Sequence, residues 1–214
     1  MPAGTRRSSA VVAGAVALLS LFAALLAPTE AAGPGSGPDG QPPGRRIAGV
    51  VHVAGRPQAG VVVWLDAPAP TRPRPDARPP VVLDQRNMQF SPRLLVVPVG
   101  TTVEMPNSDR VFHNIFSFRD GKVFDLGLYP VGQSRSVTFD RPGVSRLFCN
   151  IHPAMAAYVV VVDSPFHAIT DTRGRFAIDA VPDGPRTYHA WRPGAEPAQG
   201  TIGSALDDVS IALP

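Results

Sequence analysis

The stretch RLFCNIHPAM (146–155) holds the only cysteine of a 214-residue chain, with a histidine three positions on and a methionine three further. Cys149 closes a strand-like run, and the short loop after it, carrying Pro153, turns His152 and Met155 back toward the same point. A second histidine, His113 in RVFHNIFSF (110–118), has to arrive from a different strand, so its distance in sequence is expected.

Outward from this loop the pattern is strand after strand. VVLDQRNMQF (81–90) leads into RLLVVPVGTTVEMPN (93–107), where PVGTT marks a turn between two strands. SRSVTFDRPG (134–143) alternates polar and apolar residues before a Pro-Gly turn, and AAYVVVVD (156–163) closes the block. No long apolar period of 3.6 residues competes, and 25 prolines with 20 glycines suit short strands joined by many turns. About seven strands at this spacing predict an all-β sandwich over 81–163.

The flanks carry strands of their own. RIAGVVHVAGRPQAGVVVWLDAP (46–68) reads as a hairpin, and FHAITDTRGRFAIDAVPDGPRTYHAWRP (166–193) is punctuated by turns at DTRG and PDGP. A last strand, DDVSIALP, ends the chain. Residues 33–46 have a tether's composition, and the Pro-rich 67–80 reads as an extended linker. No solenoid-type repeat is present.

The first 32 residues read as an export signal. Arg6 and Arg7 precede the apolar run AVVAGAVALLSLFAALLA (10–27), and TEAAG (29–33) supplies small residues for cleavage. With no stop-transfer charges after it, cleavage is favoured over a permanent anchor, leaving a periplasmic or secreted protein without a stable membrane span. Twin-arginine export fits poorly, because Ser8 and Ser9 follow the arginines. The charges nearly balance, with Lys+Arg 20 against Asp+Glu 17, so nothing points to a nucleic-acid partner.

Export sharpens the question of the lone thiol. Oxidising compartments favour paired cysteines, so an odd one is buried, reactive or bound to something. Taken singly, Cys149 reads as a small core residue, His113 as a hydrogen-bonded core histidine and Met155 as core filler. Together, two imidazoles and a thiolate with a weak thioether are the donor set of a blue-copper electron-transfer site. Bound metal deprotonates the thiol, which accounts for an unpaired cysteine outside the cytoplasm. Asn114, beside His113, reads as a residue tying two loops together. Met88 and Met105 read as filler, and His52, His167 and His189 as surface or structural.

The segment 81–163 resembles a cupredoxin of the plastocyanin and amicyanin kind. The resemblance rests on FSPRLLVVPVGTTVEMPNSD (90–109), FHNIF (112–116) and FDRPGVSRLFCNIHPAM (139–155). It implies a Greek-key β-sandwich holding one type 1 copper, with His113, Cys149 and His152 as equatorial ligands and Met155 as the axial one. It further implies electron exchange through His152, whose apolar neighbours Pro153, Ala154 and Ala156 suit brief docking to a redox protein.

IAGVVHVAGRPQAGVVVWL (47–65) and AITDTRGRFAIDAVPDGPRTYHAWRP (168–193) resemble the beginning and end of a carboxypeptidase-regulatory, transthyretin-like sandwich. In that family the two parts follow one another closely. Here about a hundred residues separate them, so the expected architecture is a copper domain (81–163) inserted into a second small sandwich built from 47–66 and 164–214. The alternative makes 47–66 an extension of the copper sheet.

The leading function is an exported copper protein that carries single electrons and turns over no substrate. Copper storage or delivery is the second reading. A third, a binding module without a redox role, predicts an exposed aromatic patch around Trp64, Tyr188 and Trp191. An enzyme is the least supported, since no oxyanion hole or second metal cluster is visible in the sequence.

Overall fold

The computed structural model describes residues 44–67, 80–203 and 208–213. The expected signal segment, most of the tether and most of the Pro-rich linker lie outside the described residues. Among the described residues every regular element is a strand, as the composition implied.

The central module runs through β4 (Val81–Val82), β5 (Asp84–Arg86), β6 (Gln89–Ser91), β7 (Leu94–Pro98), β8 (Thr101–Pro106), β9 (His113–Ser117), β10 (Phe124–Tyr129), β11 (Ser134–Phe139), β12 (Gly143–Phe148) and β13 (Ala156–Val162). Before it come β1 (Arg45–Val53), β2 (Arg56–Pro57) and β3 (Val62–Leu65). After it come β14 (His167–Ile169), β15 (Arg175–Val181), β16 (Arg186–Trp191), β17 (Ala198–Ile202) and β18 (Asp208–Leu213).

In the central module one sheet has the order β10-β9-β12-β13-β7 and another β11-β8-β4, with β5 and β6 as a separate hairpin. Strand period 2 decides what each buries. In β8, Val103 and Met105 enter the core while Thr102 and Glu104 face out. Its partner β11 buries Val137 and Phe139. The two sheets share one apolar cluster that includes Leu83, Phe90, Ile115, Leu147, Cys149 and Met155. Met105 is filler, as expected. Met88 is not: it is 57% exposed at the tip of the β5–β6 hairpin, with a left-handed backbone (φ 55°) that puts it in a turn.

The flanks pair with each other. β1 lies antiparallel to β15, with Ile47 opposite Ile178 and Gly49 opposite Phe176, and parallel to β18. β3 sits between β14 and β16. Residues 45–65 therefore join strands from beyond the central module, and among the described residues none of them joins the sheets of 81–162. The first strand begins at Arg45, earlier than the expected tether boundary, and the Arg45 guanidinium donates to the Gly203 carbonyl at 3.1 Å. Ile47, Val51, Val63, Leu65, Ile178 and Ile211 form the centre of a second apolar cluster.

A third cluster joins module and flanks. The apolar run of β13 sends Ala157, Val159 and Val161 into the central core, and Val160 and Val162 to the opposite face. There Val62 and Trp191 meet them, which is why this strand shows no polar alternation. Trp191 is 7% exposed and packs edge-on against Tyr158 with centroids 5.5 Å apart. Trp64 and Tyr188 are only half-buried, so the exposed patch expected of a binding module lacks Trp191. Burial between the flanks and β13 removes it from the surface.

Candidate metal centre

The loop after β12 is shaped by its own backbone. The Met155 amide donates to the His152 carbonyl at 2.9 Å, and the Cys149 amide reaches the Met155 carbonyl at 3.4 Å. This tight return brings His152 back over Cys149, as the position of Pro153 implied. His113 begins β9, which pairs with β12 through Phe116 opposite Phe148, so both strands end at the same edge of the sandwich.

The three nitrogen and sulfur donors converge. His113 Nδ1 is 3.0 Å from His152 Nδ1, Cys149 Sγ is 3.6 Å from His152 Nδ1, and Cys149 Sγ is 4.0 Å from His113 Nδ1. An ion at the middle of a plane, bound at ~2.0 Å to nitrogen and ~2.3 Å to sulfur, sets donors roughly 3.5–3.7 Å apart. The group fits one ion with a few tenths of an ångström of adjustment. His113, Cys149 and His152 form the one cluster of three His, Cys or acidic residues with metal-holding proximity among the described residues. The Met155 side chain is 1% exposed and belongs to the same apolar cluster as Cys149.

The surroundings are asymmetric. His113 is fully buried and Cys149 nearly so, whereas His152 is half-buried at the surface. Ile151 and Phe112, next to two of the donors, are 47% and 55% exposed. A groove of about 490 Å³ lies beside His152, bounded by Pro153, Ala154, Met88 and Arg93.

Two side chains brace the centre. The Asn114 side-chain carbonyl accepts the Asn150 amide at 2.8 Å, and its Nδ2 donates to Asp125 Oδ1 at 3.0 Å, tying β9 to the ligand loop and to β10. The other is Asp109, which sequence reasoning missed. Its Oδ2 lies 3.0 Å from His113 Nε2 and accepts the Met88 amide at 2.7 Å. The Met88 amide first, and then the His113 ring, hold the Asp109 carboxyl down at about 2. The available signal was an acidic residue four positions before a ligand histidine, in the turn-forming PNSD. Behind the site, burial pushes the Tyr129 phenol up to about 12, and its hydroxyl donates to the Met105 carbonyl at 2.8 Å. Tyr129 is a neutral structural group opposite His113 in the β9–β10 ladder.

Residues 80–162 match the family of copper binding proteins described as plastocyanin/azurin. Over these residues the chain is similar to the cupredoxins. Copper is thus the metal for which this donor set is built, and the soft sulfur and imidazole ligands fit it. Among solved structures the chain is similar to a purple cupredoxin from Nitrosopumilus maritimus, at 31% identity over 38% of this chain and 99% of that one, with a TM-score of 0.36. It is similar to a copper-containing nitrite reductase from Thermus scotoductus SA-01, at 29% identity over 39% of this chain and 22% of that one (TM-score 0.37). A reduced Cu(I) form of an amicyanin point mutant shares 25% identity over 47% of this chain and 98% of that one (TM-score 0.38). No curated protein sequence matches the chain.

The other histidines lie elsewhere. His189 Nε2 contacts Asp66 at 2.8 Å and its ring stacks on Trp64, and His167 Nδ1 contacts the Ser164 carbonyl. No helix among the described residues is long and apolar enough to cross a membrane.

Proposed function

We propose that the protein is an exported type 1 copper protein that passes single electrons between redox partners and turns over no substrate. The observation that carries this reading is the convergence of His113, Cys149 and His152 donors within 4.0 Å of one another at one end of a cupredoxin sandwich. Bound copper supplies a one-electron couple between its cuprous and cupric states.

The chain's residues divide the remaining work. Cys149 gives its thiolate, and its near-complete burial keeps competing thiols and water away. His113 holds the buried side of the site. Met155 closes the apolar side, where its thioether would be the weak fourth donor. A geometry fixed by the sandwich rather than by the ion limits reorganisation when an electron moves. His152, at the surface beside exposed Ile151 and Phe112, is the exit route, and that apolar rim suits a short-lived encounter with a redox protein.

The flanks form a second small sandwich into which the copper domain is inserted. The pairing of β1 with β15 and of β3 with β14 and β16 supports this, as does their own apolar cluster. The signal-like first 32 residues support a periplasmic or secreted location.

The test is repeated redox cycling of copper-loaded protein with a Cu(I) chelator in the buffer. An electron carrier keeps one copper per chain through many cycles. Loss of the metal to the chelator at the first reduction would replace this reading with storage or delivery.

A further inference from the structure

The hydrogen bond between Asp109 and His113 does more than fill a buried valence. Asp109 Oδ2 already accepts the Met88 amide and lies 3.0 Å from His113 Nε2; a carboxylate only accepts, so His113 Nε2 has to carry the ring proton. A neutral imidazole has one such proton. His113 Nδ1 is then a free lone pair aimed at the centre, and the 3.0 Å contact between the two Nδ1 atoms must be donated by His152. The buried ring is fixed in its metal-binding tautomer, and the surface ring is the one that rearranges its proton when metal arrives.

Asp109 is itself held from two sides. Its Oδ2 accepts the Met88 amide, offered by the β5–β6 hairpin, where Asn87 and Met88 both adopt left-handed backbone (φ 52° and 55°). Asn107, 1% exposed, accepts the Asp109 amide at 3.0 Å and donates to the Val111 and Tyr129 carbonyls, clamping the loop that leads to His113.

We propose that Asp109 is a positioning residue: its carboxylate locks His113 as the Nε2–H tautomer and so presets Nδ1 for copper. The role rests on the copper-site reading above, yet its first consequence is visible without metal.

The experiment is ¹⁵N NMR of the histidine rings in metal-free protein, followed by Cu(II) competition titrations. Wild-type protein shows His113 protonated at Nε2 and bare at Nδ1. Asp109→Asn retains an acceptor oxygen and keeps that tautomer. Asp109→Ala loses it, giving mixed tautomers and a Cu(II) affinity about 10- to 100-fold weaker, the usual effect of losing such a partner. A wild-type His113 protonated at Nδ1 overturns the proposal with no variant needed, should Asp109→Ala fail to fold. An unaltered tautomer and affinity in a folded Asp109→Ala protein overturns it equally. Wild-type protein with the expected tautomer that binds no copper would instead defeat the functional reading and leave the positioning role intact.

Discussion

The side-chain carbonyl of Asn114 accepts the backbone amide of Asn150, so the strand that starts with His113 is fastened to the loop that carries Cys149 and His152. One amide side chain thus sets the distance between two parts of the site that lie 36 residues apart in sequence.

Asn114→Ala leaves the Asn150 amide and Asp125 without this partner. The expected loss is about 1 kcal/mol of stability for each part-buried hydrogen bond removed. Copper dissociation should also accelerate, because the ligand loop loses its tie to β9. Thermal melts and metal release to a chelator read the two effects. A variant with wild-type stability and release rate would remove Asn114 from the site's framework.

Trp191→Ala probes the cluster between the flanks and β13. Emptying this buried position, where the indole meets Tyr158, should cost about 3–5 kcal/mol. Denaturant unfolding measures it, with the visible spectrum of the copper-loaded protein recorded alongside. A cost near zero would mean that the flanking strands and the central module do not support each other through this contact.

Acid should weaken the turn at TDTRG. Asp171 Oδ1 accepts the amides of Arg175 and Arg173, and these bonds, that to Arg175 foremost, lower its pKa from the ordinary 3.8. A folded-state pKa below the unfolded one gives stability that is complete above the unfolded value and disappears as pH falls through the folded value. Asp171→Ala should therefore melt below wild type at pH 7, with the gap closing as the pH drops below about 4. A gap that stays constant down to pH 2 would contradict that origin.

Much of this architecture was legible because each strand carries its own signal. Alternation in β8 and β11 and the turns at PVGTT and DRPG follow from local rules. The C-x2-H-x2-M loop marks three donors because a tight return must bring them together. What was not legible depends on distant packing. Met88 reads as filler by composition, but a two-residue hairpin turn holds it outward. A binding module would expose Trp191, but β13 covers it. Asp109 carries no periodicity at all; its partners, His113 and the Met88 amide, converge only once the loops at one end of the sandwich are folded.

The central claim is that Cys149, His113 and His152 close on a single copper ion. Cu(II) titrated into purified mature protein, with visible absorption recorded beside Cys149→Ser, tests it most directly. An intense blue, green or purple charge-transfer band that saturates at one equivalent and is absent from the serine variant is the predicted result. A protein that stays colourless, or whose colour survives loss of the thiol, contradicts it.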